Sequence, residues 1–218
     1  MIELEQTVRL IALYAIPGIF AITLHEAAHG YAARHFGDMT AYQAGRITIN
    51  PIRHIDPMGT IVIPILILIA SGGKYAFGWA KPVPVDFGRL RNPKRDMLWV
   101  AAAGPGANLA MAVFWALVIK AGQGIAPNYF TQPLLLMAQG GIIINAVLMV
   151  LNLFPLPPLD GGRIAVSLLP HRLAYTYARI EPYGMIILLV LMFLGVLGMV
   201  MLPFVNIFVG ALAFVFNI

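Results

Sequence analysis

Apolar residues in this chain fall in long unbroken runs, not in the stripes or alternations of a soluble fold. The runs 10–24, 97–119, 134–154 and 185–202 contain no charged side chain. Runs of this kind read as membrane-crossing helices, which need about 20 residues. Two shorter ones, 61–70 and 204–216, are weaker, and Pro203 separates the second from the run before it. The pattern predicts helices over about 7–35, 96–121, 133–154 and 183–202, the first kinked at Pro17-Gly18 and stopped by Gly37-Asp38. Residues 42–50, YQAGRITIN, alternate in part and predict a short strand or β-hairpin. The proline-bounded stretch NPIRHIDPMG is a loop, and KPVPV is forced into an extended path because proline at alternate positions rules out helix. The expectation is an all-α polytopic membrane protein of about five to six transmembrane or re-entrant segments with a short β-hairpin, 1–218 forming a single integral-membrane domain.

Composition strengthens this picture. Of 218 residues, 60% are hydrophobic and 11% charged, with mean hydropathy +0.84. A soluble domain carries about 25% charged residues to solvate its surface, so a water-soluble fold is excluded. The formal charge of +5 does not form a nucleic-acid face. Most basic residues sit in two stretches between apolar runs: Lys74, Lys81, Arg89, Arg91, Lys94 and Arg95, then Arg163, Arg172 and Arg179. Positive inter-span segments mark the cytoplasmic side. They place 73–97 and 163–181 inside, and 61–70 then reads as re-entrant or as returning through the extended 76–88 segment. The first apolar run lacks the basic lead of a signal peptide, and there is no cysteine for a thiolate metal site.

Chemistry enters at His25-Glu26-Ala27-Ala28-His29. Residues i and i+4 share a helix face, so two imidazoles can hold one metal ion, with Glu26 beside them to take a proton from water. Ionisable groups inside an apolar helix are costly and mark function. A catalytic zinc needs a third protein ligand, and two residues compete for the role. His35 stands ten residues after His25. On a continuous helix that is about 15 Å along the axis and roughly 80° off the face, out of reach. Asp160 follows a run of prolines and precedes Gly161-Gly162, a bend able to bring a carboxylate close; it could equally cap the next helix. Asn108 and Asn145 read as residues that stitch helices together. His54 and Asp56 read as loop hydrogen-bonding groups.

These motifs together resemble the site-2 proteases, whose signature is HExxH in one membrane helix and N-x-x-P-x-x-x-L-D-G in a later one. Here the second reads NLFPLPPLDG at 152–161, and GPGAN at 104–108 is a further family-like feature. The resemblance covers roughly residues 10–165 and implies a three-helix catalytic core over 7–36, 96–121 and 133–165. It implies Zn2+ bound by His25, His29 and Asp160, Glu26 as general base, and Asn152 near the scissile carbonyl. The implied activity is that of an intramembrane zinc metalloprotease, cutting transmembrane protein substrates in or near the bilayer of a prokaryotic cell membrane. Lipid is the second expected partner, and a second copy or a regulatory membrane protein is compatible with it. No PDZ insertion is present. Residues 42–50 could hold an unwound substrate by strand addition, or merely plug the site. The rival class is a membrane zinc transporter or metal-binding sensor, in which Glu26 would matter little.

Overall fold

The computed structural model describes residues 2–73, 77–126 and 128–218; Lys74, counted above in the first basic stretch, lies outside them. Among the described residues nine α-helices follow one another: α1 Ile2–His35, α2 Thr40–Gln43, α3 Ile63–Ala70, α4 Pro93–Gly122, α5 Thr131–Asn152, α6 Asp160–Leu168, α7 His171–Ala178, α8 Glu181–Phe193 and α9 Val196–Phe216. α1, α4 and α5 pack against one another as the central layer. α6 lies on α4, and α9 covers α4 and α5 from outside. Ala112, Trp115, Ala116, Ala138, Ile142 and Leu212 form the seam among these last three helices. Three alanines, Ala112, Ala116 and Ala138, lie in that seam, where small residues let membrane helices approach closely.

Among the described residues, α4, α5 and α9 are long and apolar enough to cross a membrane, and the α7–α8 pair, bent by 61°, would make a fourth. The expected five to six segments are therefore too many. Large apolar side chains remain outward on these helices: Phe114 is 56% exposed, Ile207 69% and Phe214 87%. Such a surface is stable only where the solvent is lipid. The chain is a membrane protein.

Three sequence expectations fail for identifiable reasons. No strand forms among the described residues, so the β-hairpin at 42–50 is absent. Thr40–Gln43 is a helical turn instead, followed by Gly45 at φ +62°. The chain facing residues 46–48 is Lys81-Pro82-Val83-Pro84, where two prolines remove the N–H groups that a ladder requires. Side chains take over: the Arg46 Nη2 donates to the Lys81 and Pro82 carbonyls. His54 Nε2 donates to the Thr48 carbonyl. The break expected at Pro203 occurs instead at Gly195, whose φ of +74° ends one helix and starts the next, while Pro203 sits inside α9. Finally, α1 begins at Ile2, ahead of the start near residue 7 that the pattern predicts.

The short apolar run behaves as a returning segment. A π-helical turn, Pro57–Val62, leads into α3, and the chain then comes back so that the Trp79 amide donates to the Gly59 carbonyl at 3.0 Å. Gly59 has no room for a side chain, since a Cβ there would lie 2.2 Å from the Trp79 indole nitrogen. At one end of the bundle, the Arg91 guanidinium donates to the His35 carbonyl and Lys94 Nζ to the Leu169 carbonyl. The Arg163 guanidinium stands 5.3 Å from the Phe87 ring. The two basic stretches thus share an end of the molecule.

Candidate metal centre

His25 and His29 lie one turn apart on α1, both buried, and their Nε2 atoms approach to 3.1 Å. Asp160 Oδ2 is 3.2 Å from His25 Nε2 and 3.3 Å from His29 Nε2. Zinc bound at about 2.0–2.2 Å sets tetrahedral ligand atoms about 3.3 Å apart. The three protein atoms therefore match one face of that tetrahedron. Asp160 Oδ2 is also a buried oxygen that no hydrogen-bond donor satisfies. Two imidazole lone pairs and a carboxylate converging on one point suit a divalent cation and little else.

The outer faces of the two rings fix which nitrogen can bind. His25 Nδ1 lies 2.7 Å from Asn108 Oδ1, and His29 Nδ1 lies 2.7 Å from the Val100 carbonyl. Both partners accept, so each Nδ1 carries the proton and each Nε2 keeps its lone pair. Asn108 is held in this orientation by its own donors, Nδ2 reaching the Ala21 carbonyl at 3.2 Å and Asn145 Oδ1 at 3.0 Å. Asn145 Nδ2 in turn donates to the Gly141 carbonyl. Both asparagines are fully buried. Sequence reasoning gave them only a helix-stitching role; they do join α1, α4 and α5, and Asn108 also orients the His25 ring.

Between Val100 and Asn108, on the same face of α4, stands Gly104. A Cβ there would lie 2.4 Å from His29 Nε2 and 2.6 Å from His25 Nε2. The space beside the two ligand atoms exists because this position is glycine.

Asp160 reaches the site from the proline-rich bend. It is the first residue of α6, whose N-cap is Leu159, and it makes no capping bond to its own helix. The alternative reading of Asp160 as a cap is thus disfavoured. Gly161 and Gly162 permit the approach: a Cβ on the first would lie 2.3 Å from the Leu153 carbonyl oxygen, and on the second 2.3 Å from the Pro157 nitrogen. His35 joins no such cluster and packs edge-to-face on Phe36. His54 is buried on the Thr48 carbonyl, and Asp56 caps the turn after it by accepting from the Met58 and Gly59 amides. Asn152 Nδ2 donates to the Leu148 carbonyl of its own helix at 2.9 Å. Glu26 is half-buried, and its Oε2 accepts from the Val83 amide at 2.8 Å.

Outside the membrane-facing helices, Asp38 is fully buried at the turn after α1. Burial pushes its carboxyl pKa up, but the Thr40 hydroxyl and amide, the Asp86 amide and the nearby Arg89 outweigh this and hold it below the usual range. Asp38 thereby fastens the end of α1 to the start of the segment leading to α4.

A His-His-Asp group able to hold a cation, sunk among lipid-facing helices with a glutamate next in sequence to one of the histidines, suits a metallohydrolase of the membrane. Comparison with known proteins makes this specific. The family model described as Peptidase family M50 matches residues 119–195. The protein named "Putative zinc metalloprotease YwhC" of Bacillus subtilis is 40% identical over 191 residues, 86% of this chain and 83% of that one. The protein named "Putative zinc metalloprotease Rip2" of Mycolicibacterium smegmatis is 30% identical over 177 residues, covering 80% of this chain and 64% of the relative. Its Mycobacterium tuberculosis namesake is 32% identical over 180 residues, covering 79% and 63%. The chain thus spans slightly under two thirds of the Rip2 proteins. No solved structure matches it. The chain belongs to peptidase family M50, the site-2 proteases, and is a zinc metalloprotease.

Proposed function

We propose that residues 1–218 act as one multi-pass unit that cleaves transmembrane protein substrates in or near the bilayer, using His25, His29 and Asp160 as zinc ligands and Glu26 as general base. The observation that carries this is the triangle of ligand atoms with sides of 3.1, 3.2 and 3.3 Å, one residue from Glu26. Zinc at that position supplies Lewis acidity, making water a stronger acid and a peptide carbonyl a better electrophile. Glu26 is the only carboxylate adjacent to the ligands in sequence, and it accepts the proton of the attacking water and returns it to the leaving amine. A helical substrate hides its carbonyls in intrahelical bonds and has to unwind first. Asn152, at the end of α5, is proposed to turn from the Leu148 carbonyl toward the substrate backbone. This role rests on its position in the N-x-x-P-x-x-x-L-D-G segment.

The test is Glu26→Gln in vesicles carrying a tagged single-span substrate, with zinc content measured in the same preparations. Zinc stays at one per chain and cleavage falls by about 10²–10⁴-fold, the usual weight of an acid–base group. Cleavage at the wild-type rate rules the mechanism out. Zinc flux without cleavage by the wild type would point to a transporter.

The shared end of the bundle supports a topology with 73–97 and 163–181 on the cytoplasmic side. The chain has no native cysteine, so Arg95→Cys gives a clean probe. Its labelling from outside by an impermeant reagent would reverse the orientation.

A further inference from the structure

The extended stretch from Trp79 to Asp86 crosses α1 beside the metal centre, and it is fastened along its length. The Trp79 amide bonds the Gly59 carbonyl and the Lys81 amide the His54 carbonyl. The Lys81 and Pro82 carbonyls accept from Arg46, and the Asp86 amide bonds Asp38 Oδ2. In its centre, Pro82 and Pro84 have no N–H, so over 82–84 the backbone offers one donor, that of Val83. That donor points at Glu26 Oε2 from 2.8 Å.

The close approach is built into both partners. Val83 is 6% exposed, with its side chain against α1. It packs at Gly30, one turn beyond Glu26, where a Cβ would lie 3.1 Å from Val83 Cγ1 and 2.9 Å from Ile47 Cγ1. A side chain at position 30 would have to displace the Ile47 and Val83 side chains that meet there.

We infer that the Val83 backbone amide is a positioning group for Glu26, fixing one carboxylate oxygen so that the other faces the attacking water. The inference rests on the reading of Glu26 as the base. A half-buried glutamate has three side-chain torsions to order, and losing that freedom during reaction slows proton transfer. A hydrogen bond from a backbone fastened at both ends orders it beforehand. Because Val83 N–H donates to Oε2, the free lone pairs of Oε1 remain for the water proton. The prolines on either side supply the specificity of the arrangement, since neither neighbouring residue has an amide N–H that could substitute.

Three changes at one position separate the donor from the side chain. Val83→Ala keeps the N–H and removes two methyl groups. Val83→Pro removes the N–H in a stretch that already follows a proline path. Replacing the Val83 amide by an ester, through 2-hydroxyisovalerate, removes the N–H and keeps the side chain. Each is reconstituted as the full chain with a tagged single-span substrate, and kcat, KM and zinc content are measured. The ester and proline forms are expected to lose about 10- to 100-fold in kcat with KM within about twofold and zinc unchanged, while Val83→Ala, which trims the packing at Gly30 but keeps the donor, loses at least about threefold less than the ester form. Hydrogen exchange gives a reading independent of turnover: the Val83 amide is protected in wild type and exchanges at least tenfold faster in Glu26→Ala.

An ester form with wild-type kcat overturns the inference, as does equal loss in Val83→Ala and the ester, which would make packing the cause. Unchanged Val83 exchange in Glu26→Ala overturns it too. Failure of the underlying reading looks different, since Glu26→Gln would then cleave normally whatever happens at Val83.

Discussion

Replacing Gly104 with alanine should cost the enzyme its metal before it costs the fold. The added methyl carbon would sit 2.4 Å from His29 Nε2 and 2.6 Å from His25 Nε2. Carbon and nitrogen rest in contact at about 3.4 Å, so the deficit is close to 1 Å on each ligand. The rings cannot rotate away cheaply, because their Nδ1 atoms are bonded to Asn108 and Val100, one turn to either side on the same helix. Moving α4 outward relieves the clash but stretches both of those bonds. Overpacking of this kind costs about 1–3 kcal/mol, and disturbing groups that orient ligands typically costs 10–100-fold in metal affinity. Zinc affinity of Gly104→Ala should therefore fall by roughly 10- to 100-fold, with cleavage falling in parallel at limiting zinc and recovering in part when zinc is raised. The assay is competition with a chelator of known affinity in detergent, with helix content followed by circular dichroism. Wild-type zinc affinity in a folded Gly104→Ala protein would refute the reasoning.

Three further outcomes follow from the same contacts. Asp160→Ala should lose bound zinc while His35→Ala keeps it, by elemental analysis of purified protein; the reverse would return the third ligand to His35. Asn108→Ala should weaken zinc by about 10–100-fold and Asn145→Ala by less, since only Asn108 touches a ligand; equal losses would show that helix packing is what matters. Asp38 has a folded pKa below its unfolded value, so the stability it contributes is present above about pH 4 and lost as pH falls through the folded value. Asp38→Asn, which sets amide hydrogens against bound donors, should cost about 1–3 kcal/mol at pH 7 and flatten that acid limb in thermal unfolding scans.

The central helices, and the residues that cluster as candidate ligands, were legible in the sequence because each depends on local spacing. Apolar length places α4 and α5, the i and i+4 pair places His25 and His29, and a bend of prolines and glycines marks Asp160. What was missed depends on partners distant in the chain. The pattern at 42–50 looks like a strand, but Thr40–Gln43 turns helically and the stretch that Arg46 reaches carries Pro82 and Pro84, which lack the N–H groups of a ladder. Pro203 looks like a break, yet Gly195 provides the left-handed turn that ends a helix, while membrane helices absorb proline. Asn108 carries no local sign that its neighbour 83 residues earlier is a histidine.

One helix ties these pieces into a single device. Val100, Gly104 and Asn108 recur at spacing four on α4: an acceptor for one histidine, a gap for the ligand atoms, and an acceptor for the other. Asp160 is referenced to the same helix, because α6 packs on α4 and Lys94 at the start of α4 bonds the carbonyl that follows α6. In lipid there is little hydrophobic drive to hold helices in register, so polar pairs and close small-residue contacts must do it. The Asn108–Asn145 pair and Gly104 serve that purpose at the points where they also shape the cation site. Register of the bundle and geometry of the site are then one quantity. A slip of α4 along α1 by one residue, about 1.5 Å, would separate both histidines from their acceptors and crowd the ligand atoms at once.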